Sequence, residues 1–453
     1  MQNDRYEVNN ADLSQQKTGY FWQLSDLHWD PSYSDRDGGC WRSRPGNMQP
    51  PSTLGEYSCD SPWALVQSAV DTMKYIEGDD LEFILWTGDG VTDSLALDEK
   101  VDALKNLTDL LSRTFTSQFV FPVLGEADPS SPEILIQLGQ LWRHWLPTEA
   151  LNSFIKGGYY MIEQKSRRLR LIALNTNLWI GTGTEDDPGG QWYWLETLME
   201  KSSEKKATVY LVGHVAPGFD ERQGAPPRLT LAPEHNDRYL RLIQRYSDII
   251  TGQFFGHLHS DTFRLIYDNI GVPVSTIFLA PAVTPRRTSS GVNNPALRLY
   301  KVDTDTGQVR NYMQFYMDLA KSNEVGEANW SMEYNFTRYY GLEEVSPTEL
   351  HELVQMFTSS DGMALFGRYW MANSVRSYNF TTNSAWTNSH YCAITQLEYT
   401  LYQNCLNTRV SALAALDTHQ EPAVATDDAV SSPQIHNICS ALLLLPLFCL
   451  TLR

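Results

Sequence analysis

Aspartate and histidine residues follow four apolar segments of the chain, at the points where predicted β-strands end. The segments are rich in β-branched and aromatic residues, as strands typically are. Carboxylates and imidazoles at neighbouring strand ends supply oxygen and nitrogen ligands, without thiolates, for a harder metal ion. The segments that predict a metal site are Asp26-Leu27-His28 after Tyr20–Leu24, Gly88-Asp89-Gly90 after Phe83–Trp86, Gly213-His214 after Thr208–Val212, and Gly256-His257-Leu258-His259 after Ile249–Phe255.

Strands and helices alternate along the part of the chain that must position these residues. Between residue 20 and about residue 320 the alternation predicts a layered α/β fold. The segment 61–76 is an amphipathic helix, with Asp60 as its candidate N-cap. Later apolar residues recur at helical spacing. The predicted divisions are a polar N-terminal segment (1–19), the main α/β domain (20–340), a small C-terminal helical subdomain (341–415), a flexible spacer (416–437) and an apolar tail (438–453).

Longer motifs surround the predicted metal-site segments. They are Cys59-Asp60-Ser61-Pro62-Trp63-Ala64-Leu65, Ile84-Leu85-Trp86-Thr87-Gly88-Asp89, Leu174-Asn175-Thr176-Asn177-Leu178, Val212-Gly213-His214-Val215-Ala216-Pro217-Gly218, Gly252-Gln253-Phe254-Phe255-Gly256-His257 and Asn293-Asn294-Pro295-Ala296. With these motifs the chain resembles the acid sphingomyelinase-like phosphodiesterases, a family of the calcineurin-like metallophosphoesterases. The resemblance covers about Tyr20 to Leu406, and the apolar tail makes the chain most similar to the membrane-anchored branch. It implies a four-layer αββα sandwich with the helical subdomain added at the C-terminus.

The resemblance also implies a two-metal hydrolase. Such a site holds two cations about 3.5–4 Å apart, so that a carboxylate between them serves both during in-line attack on phosphorus. Imidazole and carboxylate ligands favour zinc, with manganese and iron left open. The implied substrates are small nucleotide-type or phosphocholine-type phosphodiesters or diphosphates. The implied ligands are Asp26, His28 and His259 for the first metal, His214 and His257 for the second, and Asp89 between them.

One segment departs from the family pattern. The family has Gly-Asn-His-Asp, which supplies an asparagine ligand and a catalytic histidine, whereas this chain has Gly125-Glu126-Ala127-Asp128. Glu126 offers an oxygen ligand for the second metal, but its negative charge would repel an anionic phosphodiester. Ala127 has no proton to donate, and loss of a positioned general acid typically costs about 10²–10⁴ in rate. The sequence therefore assigns no certain catalytic residue.

Two functions are consistent with this departure. The first is an extracellular metal-dependent phosphodiesterase of reduced activity, and the second is a cell-surface pseudoenzyme that binds a partner or lipid. His144 and His235 are candidate replacements for the absent histidine, and an incomplete segment at 125–132 would also explain it. The segment 88–93 contains no tyrosine, which argues against the purple acid phosphatase pattern.

Cysteines and glycosylation sequons indicate the secretory pathway. Cys40 and Cys59 are close in sequence, as are Cys392 and Cys405, which makes them plausible disulfide pairs. Free buried cysteines in a cytosolic protein are the alternative. A formal net charge of −19 argues against binding to a nucleic-acid polymer, which needs a basic surface. The sequon asparagines are Asn106, Asn329, Asn335 and Asn379.

The two ends of the chain bear on its location. Residues 1–17 are polar, so no signal peptide is visible. Residues 438–452 are apolar but short for a membrane span, and the preceding residues are small and polar. This arrangement predicts a GPI-attachment signal, with a tail anchor as the alternative. We expect an extracellular protein at the cell surface or secreted, with a lysosomal location also open, and we favour a monomer.

Overall fold

Two six-stranded β-sheets form the centre of the computed structural model. It describes residues 17–33, 40, 52–164, 168–181, 185–222, 228–287, 291–359, 361–377 and 384–418. The first sheet has the strand order β12-β11-β10-β1-β2-β3 and the second has the order β4-β5-β6-β7-β9-β8. The strands of the first sheet are β1 (Thr18–Leu24), β2 (Leu81–Trp86), β3 (Val120–Pro122), β10 (Ala296–Asp303), β11 (Val309–Met317) and β12 (Trp330–Asn335). Those of the second are β4 (Tyr160–Gln164), β5 (Leu169–Ala173), β6 (Thr208–Val212), β7 (Ile250–Phe255), β8 (Thr262–Tyr267) and β9 (Pro273–Leu279).

Helices flank both sheets, which confirms the predicted α/β class. They are α1 (Trp63–Ile76), α2 (Leu97–Thr114), α3 (Pro132–Leu141), α4 (Thr148–Gly157), α5 (Gln191–Glu204), α6 (Pro233–Arg245), α7 (Leu319–Val325), α8 (Phe336–Tyr340), α9 (Pro347–Met356), α10 (Met363–Asn373), α11 (Ser384–Thr395) and α12 (Tyr399–Thr418). Strand β5 is buried along its whole length. Strands covered on both faces are expected to be nearly continuous apolar segments. The sequence of β5 is apolar throughout except at Arg170.

Aromatic side chains pack the two sheets against each other. The ring of Phe21 in β1 lies 5.2 Å from that of Phe254 in β7, and the Phe254 ring lies 5.0 Å from that of Tyr300 in β10. Strand β1 runs parallel to β2, and β6 runs parallel to β7. The segments that follow β1 and β2 therefore begin at the same end of the first sheet, and those that follow β6 and β7 begin at the same end of the second.

The start of helix α1 differs from the prediction. The helix begins at Trp63, and Pro62, which has no side-chain cap, is its N-cap. Asp60 is therefore not the N-cap. Its buried carboxylate instead accepts hydrogen bonds from Thr92 Oγ1 at 2.7 Å and Arg286 Nη1 at 3.1 Å. These bonds use the side chain that was expected to cap the helix.

The later helices pack on the second sheet. Helix α9 contacts β8 and β9, and α11 contacts β8. The Tyr267 hydroxyl at the end of β8 lies 3.0 Å from His351 Nδ1 in α9. The described residues up to Val410 belong to one compact unit with the sheets. Helices α9–α12 occupy the region predicted as a helical subdomain, and α12 continues to Thr418.

The structure contains both predicted disulfide pairs, Cys40–Cys59 and Cys392–Cys405. Sequon residues Asn106 and Asn329 are exposed, and Asn335 is half-buried. Asn379, residues 1–16, and residues 419–453 with the predicted tail lie outside the described residues. Within the described ranges, none of the helices combines the length and apolar character that a membrane crossing requires.

Candidate metal centre

Six side chains from the four strand-end segments form two groups that share Asp89. Within each group the possible ligand atoms all lie within 4.8 Å of one another. Five of the six residues are buried, and His257 is half-buried. The first group consists of Asp26, His28, Asp89 and His259, and the second of Asp89, His214 and His257. The structure thus brings together all six residues that the resemblance implied as Asp and His ligands.

The backbone at these residues is held in an uncommon conformation. The φ angles in the first sheet's segments are 51° at Asp26, 42° at His28 and 50° at Asp89, and those of His257 and His259 are 68° and 52°. Residues other than glycine adopt this left-handed region rarely, and such conformations concentrate at functional sites. Hydrogen bonds between segments hold it: His28 N–H donates to the Asp89 carbonyl at 2.9 Å.

Close backbone approach requires glycine at two positions around the centre. A Cβ on Gly125 would collide with the Asp89 side chain and backbone, and a Cβ on Gly256 would collide with Ser25 Oγ. Gly256 also lies against Asp26, whose Oδ2 would be 2.7 Å from the added Cβ. Gly125 therefore allows the segments after β2 and β3 to approach each other, and Gly256 allows the segment after β7 to approach the one after β1 in the other sheet.

Backbone carbonyls orient two of the imidazoles. His214 Nδ1 lies 2.7 Å from the Thr87 carbonyl, and His259 Nδ1 lies 2.7 Å from the Arg286 carbonyl. Because a carbonyl only accepts, each Nδ1 must carry the hydrogen. The Nε2 atoms then face carboxylates, at 3.1 Å from Asp89 Oδ2 for His214 and 3.4 Å from Asp26 Oδ1 for His259. This is the orientation of metal-ligating histidines in proteins.

Two buried nitrogens are available for a metal ion. His28 Nε2 and His214 Nε2 have no hydrogen-bond partner among the described residues, although they lie 3.3 Å and 3.1 Å from Asp89 Oδ2. Buried polar atoms are normally satisfied, so two such atoms beside one carboxylate need a partner. A divalent cation suits this set of nitrogen and oxygen atoms. The residues therefore fit the metal ions that the resemblance implied.

Charges within the centre offset one another. Burial disfavours the charged forms of His28 and His214, but Asp89, with a smaller contribution from Asp26, outweighs it and raises their pKa values to about 9 and about 10 when no metal is bound. Burial also disfavours ionised Asp26 and Asp89. Nearby imidazoles nevertheless lower the pKa of Asp26 and hold that of Asp89 well below its usual value. Both carboxylates are thus ionised and can act as ligands at neutral pH.

The segment 125–128 approaches the centre from β3. Glu126 Oε1 lies 3.5 Å from His257 Nδ1, and its side chain is 45% exposed. Neither of the two groups includes Glu126. The Ala127 N–H donates to Asp89 Oδ1 at 2.8 Å, so the backbone of this residue contacts the shared carboxylate while its methyl side chain offers no donor.

Comparison with known families agrees with this geometry. The family model of calcineurin-like phosphoesterases matches residues 19–261, more than half of the chain, and this span contains all six residues of the centre. The chain belongs to the calcineurin-like phosphoesterases. A second model, the acid sphingomyelin phosphodiesterase C-terminal region, matches residues 272–412. Calcineurin-like phosphoesterases use a dinuclear metal centre, and the two groups that share Asp89 correspond to one.

Curated relatives place this phosphoesterase in the acid sphingomyelinase-like branch. It is 34% identical over 414 residues to acid sphingomyelinase-like phosphodiesterase 3b from Homo sapiens, covering 86% of this chain and 90% of the relative. It is 33% identical over 411 residues to the human cyclic GMP-AMP phosphodiesterase SMPDL3A, with the same coverage of each chain. Sphingomyelinase phosphodiesterase C from Dictyostelium discoideum is 32% identical over 384 residues, covering 76% of this chain and 83% of the relative. The predicted family and the hydrolase class are confirmed.

The two candidate replacement histidines of this phosphoesterase make contacts elsewhere. His144 Nε2 lies 2.8 Å from Ser112 Oγ, between the end of α2 and the segment after α3. His235 Nδ1 accepts a hydrogen bond from Trp192 Nε1 at 3.0 Å. Neither histidine belongs to the two groups of possible ligands. The interpretation that one of them replaces the family histidine is therefore not supported.

Sequence reasoning missed one buried residue of the phosphoesterase centre, Asp128. Its carboxylate accepts hydrogen bonds from the N–H groups of Gly90 and Gly125, each at 2.9 Å. Burial, and then the nearby Asp89, raise the pKa of Asp128 to about 6. Asp128 thus connects the segment after β2 to the segment after β3. The final aspartate of the family motif was the available signal, but its partners are backbone atoms and leave no pattern in residue types.

Proposed function

We propose that this phosphoesterase hydrolyses phosphodiester or diphosphate bonds in small extracellular substrates, with reduced activity. The arrangement that supports this proposal is the pair of ligand groups sharing Asp89, with two buried imidazole nitrogens that need a partner. A carboxylate between two cations suits a two-metal hydrolase, because its oxygens and its charge can serve both. The proposed roles are Asp26, His28 and His259 as ligands of the first metal, His214 and His257 as ligands of the second, and Asp89 as the bridge.

Zinc is the proposed metal. Imidazole and carboxylate ligands without thiolates suit it, and manganese and iron are the alternatives. Two bound zinc ions would activate a water molecule and neutralise charge on the phosphate. The protein itself supplies the orientation of the ligands: the carbonyl of Thr87 fixes the His214 ring, and that of Arg286 fixes the His259 ring.

The segment 125–128 accounts for the reduced rate. Ala127 cannot protonate the leaving oxygen, so that proton must come from solvent, at a cost of about 10²–10⁴ in rate. Glu126 adds a negative charge next to His257. We propose that Glu126 strengthens binding of the second metal and weakens binding of an anionic substrate.

The relatives suggest two substrate classes. Among them are a phosphodiesterase named for cyclic GMP-AMP and one named for sphingomyelinase. We therefore propose nucleotide-type and phosphocholine-type esters as the substrates to compare. Initial rates on cyclic GMP-AMP and on sphingomyelin in detergent micelles would separate them, since these compounds share a phosphodiester and differ in the groups beside it.

A pseudoenzyme at the cell surface is the second candidate function. The observation that favours it is specific: the residue at the position of the family histidine is alanine, and the neighbouring residue is glutamate. Such a protein would keep its metals for structure and bind a partner or lipid. A pseudoenzyme would contain the same metals as the proposed enzyme, so only a measurement of turnover separates the two functions.

The decisive experiment combines metal analysis with a generic substrate. Metal content of the purified protein would be measured first, followed by hydrolysis of bis-p-nitrophenyl phosphate between about pH 4 and pH 8. Slow hydrolysis that increases about 10²–10⁴-fold in the double variant Glu126→Asn, Ala127→His supports the proposed enzyme. Two bound metals without turnover in the unaltered protein, and turnover in the double variant, would establish the pseudoenzyme instead. Asp89→Asn is the inactive control for both proteins.

The proposed location is extracellular, at the cell surface through a GPI anchor. Two disulfides are characteristic of proteins from oxidising compartments. The predicted sequons and the apolar tail at 438–453 agree with this location. Release of the protein from intact cells by a phosphatidylinositol-specific phospholipase tests the anchor, and retention on the cells would favour the tail-anchor alternative.

A further inference from the structure

The segment His257-Leu258-His259 depends on contacts from outside the segments that supply ligands. Both histidines have left-handed backbone angles, so this segment needs support in the folded protein. Two side chains hold its carbonyl groups. Arg287 Nε donates to the Leu258 carbonyl at 3.0 Å, and Asn293 Nδ2 donates to the His259 carbonyl. We call Arg287 and Asn293 the carbonyl clamp.

The carbonyl clamp is buried, and each of its two side chains makes a further hydrogen bond at its far side. Asn293 is 1% exposed and Arg287 is 7% exposed, so water does not readily replace either contact. Arg287 Nη2 donates to Asp220 Oδ1 at 3.1 Å, and Asn293 Oδ1 accepts from Arg222 Nη1 at 3.4 Å. Both members of the clamp are therefore held by the segment 220–222, which lies between β6 and α6.

Helix α10 holds this segment in turn. The Arg222 guanidinium donates through Nε to Asn373 Oδ1 at 2.9 Å and through Nη2 to the Asn373 carbonyl at 2.8 Å. Asn373 is the last residue of α10 and is 1% exposed. Its Nδ2 donates to Glu221 Oε1 at 2.9 Å and to the Asp261 carbonyl at 3.2 Å. A continuous set of buried hydrogen bonds thus joins the end of α10 to the carbonyl of His259.

The motif Asn293-Asn294 gives a second connection to the same helix end. Asn294 Nδ2 donates to the Val375 carbonyl at 2.8 Å, two residues after α10. Its Oδ1 accepts from the Tyr57 hydroxyl at 2.7 Å. Neighbouring asparagines therefore contact the ligand segment on one side and the C-terminal helices on the other.

We propose that Asn293 is a positioning residue through which the end of helix α10 holds His259, and with it the segment His257–His259, in the geometry that binds metal. The inference rests on the proposed metal centre. It assigns a role to the C-terminal helices, which supply no member of the two ligand groups. Outer contacts of this kind typically change metal affinity about 10–100-fold when they are removed.

The test compares Asn293→Ala with a matched control, Asn236→Ala. Asn236 is also fully buried, accepts from the Gly218 N–H at 2.9 Å and donates to the Leu397 carbonyl at 2.9 Å. Both variants lose a buried asparagine whose side chain bonds two other segments of the chain, but only Asn293 contacts the segment His257–His259. Zinc dissociation constants would be measured by competition with a fluorescent chelator, and thermal unfolding would be measured on metal-free protein.

The expected result is a dissociation constant about 10–100-fold larger for at least one zinc ion in Asn293→Ala, with Asn236→Ala within about threefold of the unaltered protein. Equal zinc affinities in both variants would overturn the proposal. Should Asn293→Ala not fold, Asn293→Asp keeps the acceptor for Arg222 and removes the donor to His259. The same loss of affinity is then expected, and unchanged affinity overturns the proposal.

A different result identifies failure of the proposed function. If the unaltered, folded protein binds fewer than two zinc ions, the two-metal centre is wrong and the positioning role falls with it. If the unaltered protein binds two zinc ions and both asparagine variants bind them equally well, the metal centre stands and only the positioning role is refuted.

Discussion

Replacing Asp128 with asparagine should separate metal binding from stability of the fold. Asp128 accepts the N–H of Gly90 at Oδ1 and the N–H of Gly125 at Oδ2. Asparagine offers one oxygen and one NH₂ group, so one of these buried N–H groups must lose its acceptor. The segments after β2 and β3 would then separate, and the Ala127 N–H would move relative to Asp89, to which it donates.

Two opposing terms set the change in stability. A buried N–H without an acceptor costs about 1–3 kcal/mol. In the other direction, burial and Asp89 raise the pKa of Asp128 from 3.8 to about 6, which corresponds to a cost of about 3 kcal/mol for the ionised form. Because the folded pKa is the higher one, this cost is absent below about pH 4 and complete above about pH 6. Asparagine removes it, so the free energy of unfolding at pH 7 should change by less than about 2 kcal/mol.

Zinc affinity should fall by about 10–100-fold. The assay is urea unfolding of the metal-free protein at pH 7, with zinc competition on the same preparation. Asp303→Asn is the control for loss of a carboxylate charge, because Asp303 also accepts two backbone N–H groups, both at Oδ1, and lies at the opposite end of β10 from the centre. Unchanged zinc affinity in Asp128→Asn, or an equal loss in Asp303→Asn, would refute the reasoning.

Three further predictions concern regions away from the centre. Burial raises the pKa of Glu333 well above 4.5, so its ionised form destabilises the folded protein increasingly as the pH rises above about 4.5. Glu333→Gln should therefore raise the melting temperature more at pH 7 than at pH 4.5, and the opposite trend would contradict this. Replacing Cys392 and Cys405 with serine removes a disulfide between residues 13 positions apart in the sequence. The free energy of unfolding, measured by urea titration, should fall by about 2–4 kcal/mol. No change would show that the bond is not formed. Asn106 is exposed on α2. In protein made in secretory cells, Asn106→Gln should therefore remove one glycan, seen as a loss of mass, without changing the melting temperature. An unchanged mass would show that the sequon is not used.

The positions of the ligands could be predicted from the sequence because each follows an apolar strand. Parallel strands end at one edge of a sheet, and this places Asp26 near Asp89 and His214 near His257. The close approach of the two sheets was implied only by the resemblance. It depends on aromatic packing between β1 and β7, for which no local pattern exists.

Several contacts could not be predicted because they join side chains to distant backbone atoms. Asp128 bonds to backbone N–H groups and Asn293 to a backbone carbonyl, which almost any residue type can provide. Strand β12 alternates apolar and polar residues, but its burial does not follow this alternation, because Met332 is exposed and Glu333 is buried. In β10, the buried Arg298 is stabilised by Asp261 from another segment, so a charge lies where a strand pattern would predict an apolar residue.

The metal content of the unaltered protein tests the central claim most directly. The protein would be purified without chelators, incubated with zinc, separated from free metal and analysed by inductively coupled plasma mass spectrometry. A centre of two groups that share Asp89 predicts about two zinc ions per chain, falling to one or fewer in Asp89→Asn. A ratio of one or less in the folded, unaltered protein, or two ions retained in Asp89→Asn, would contradict it.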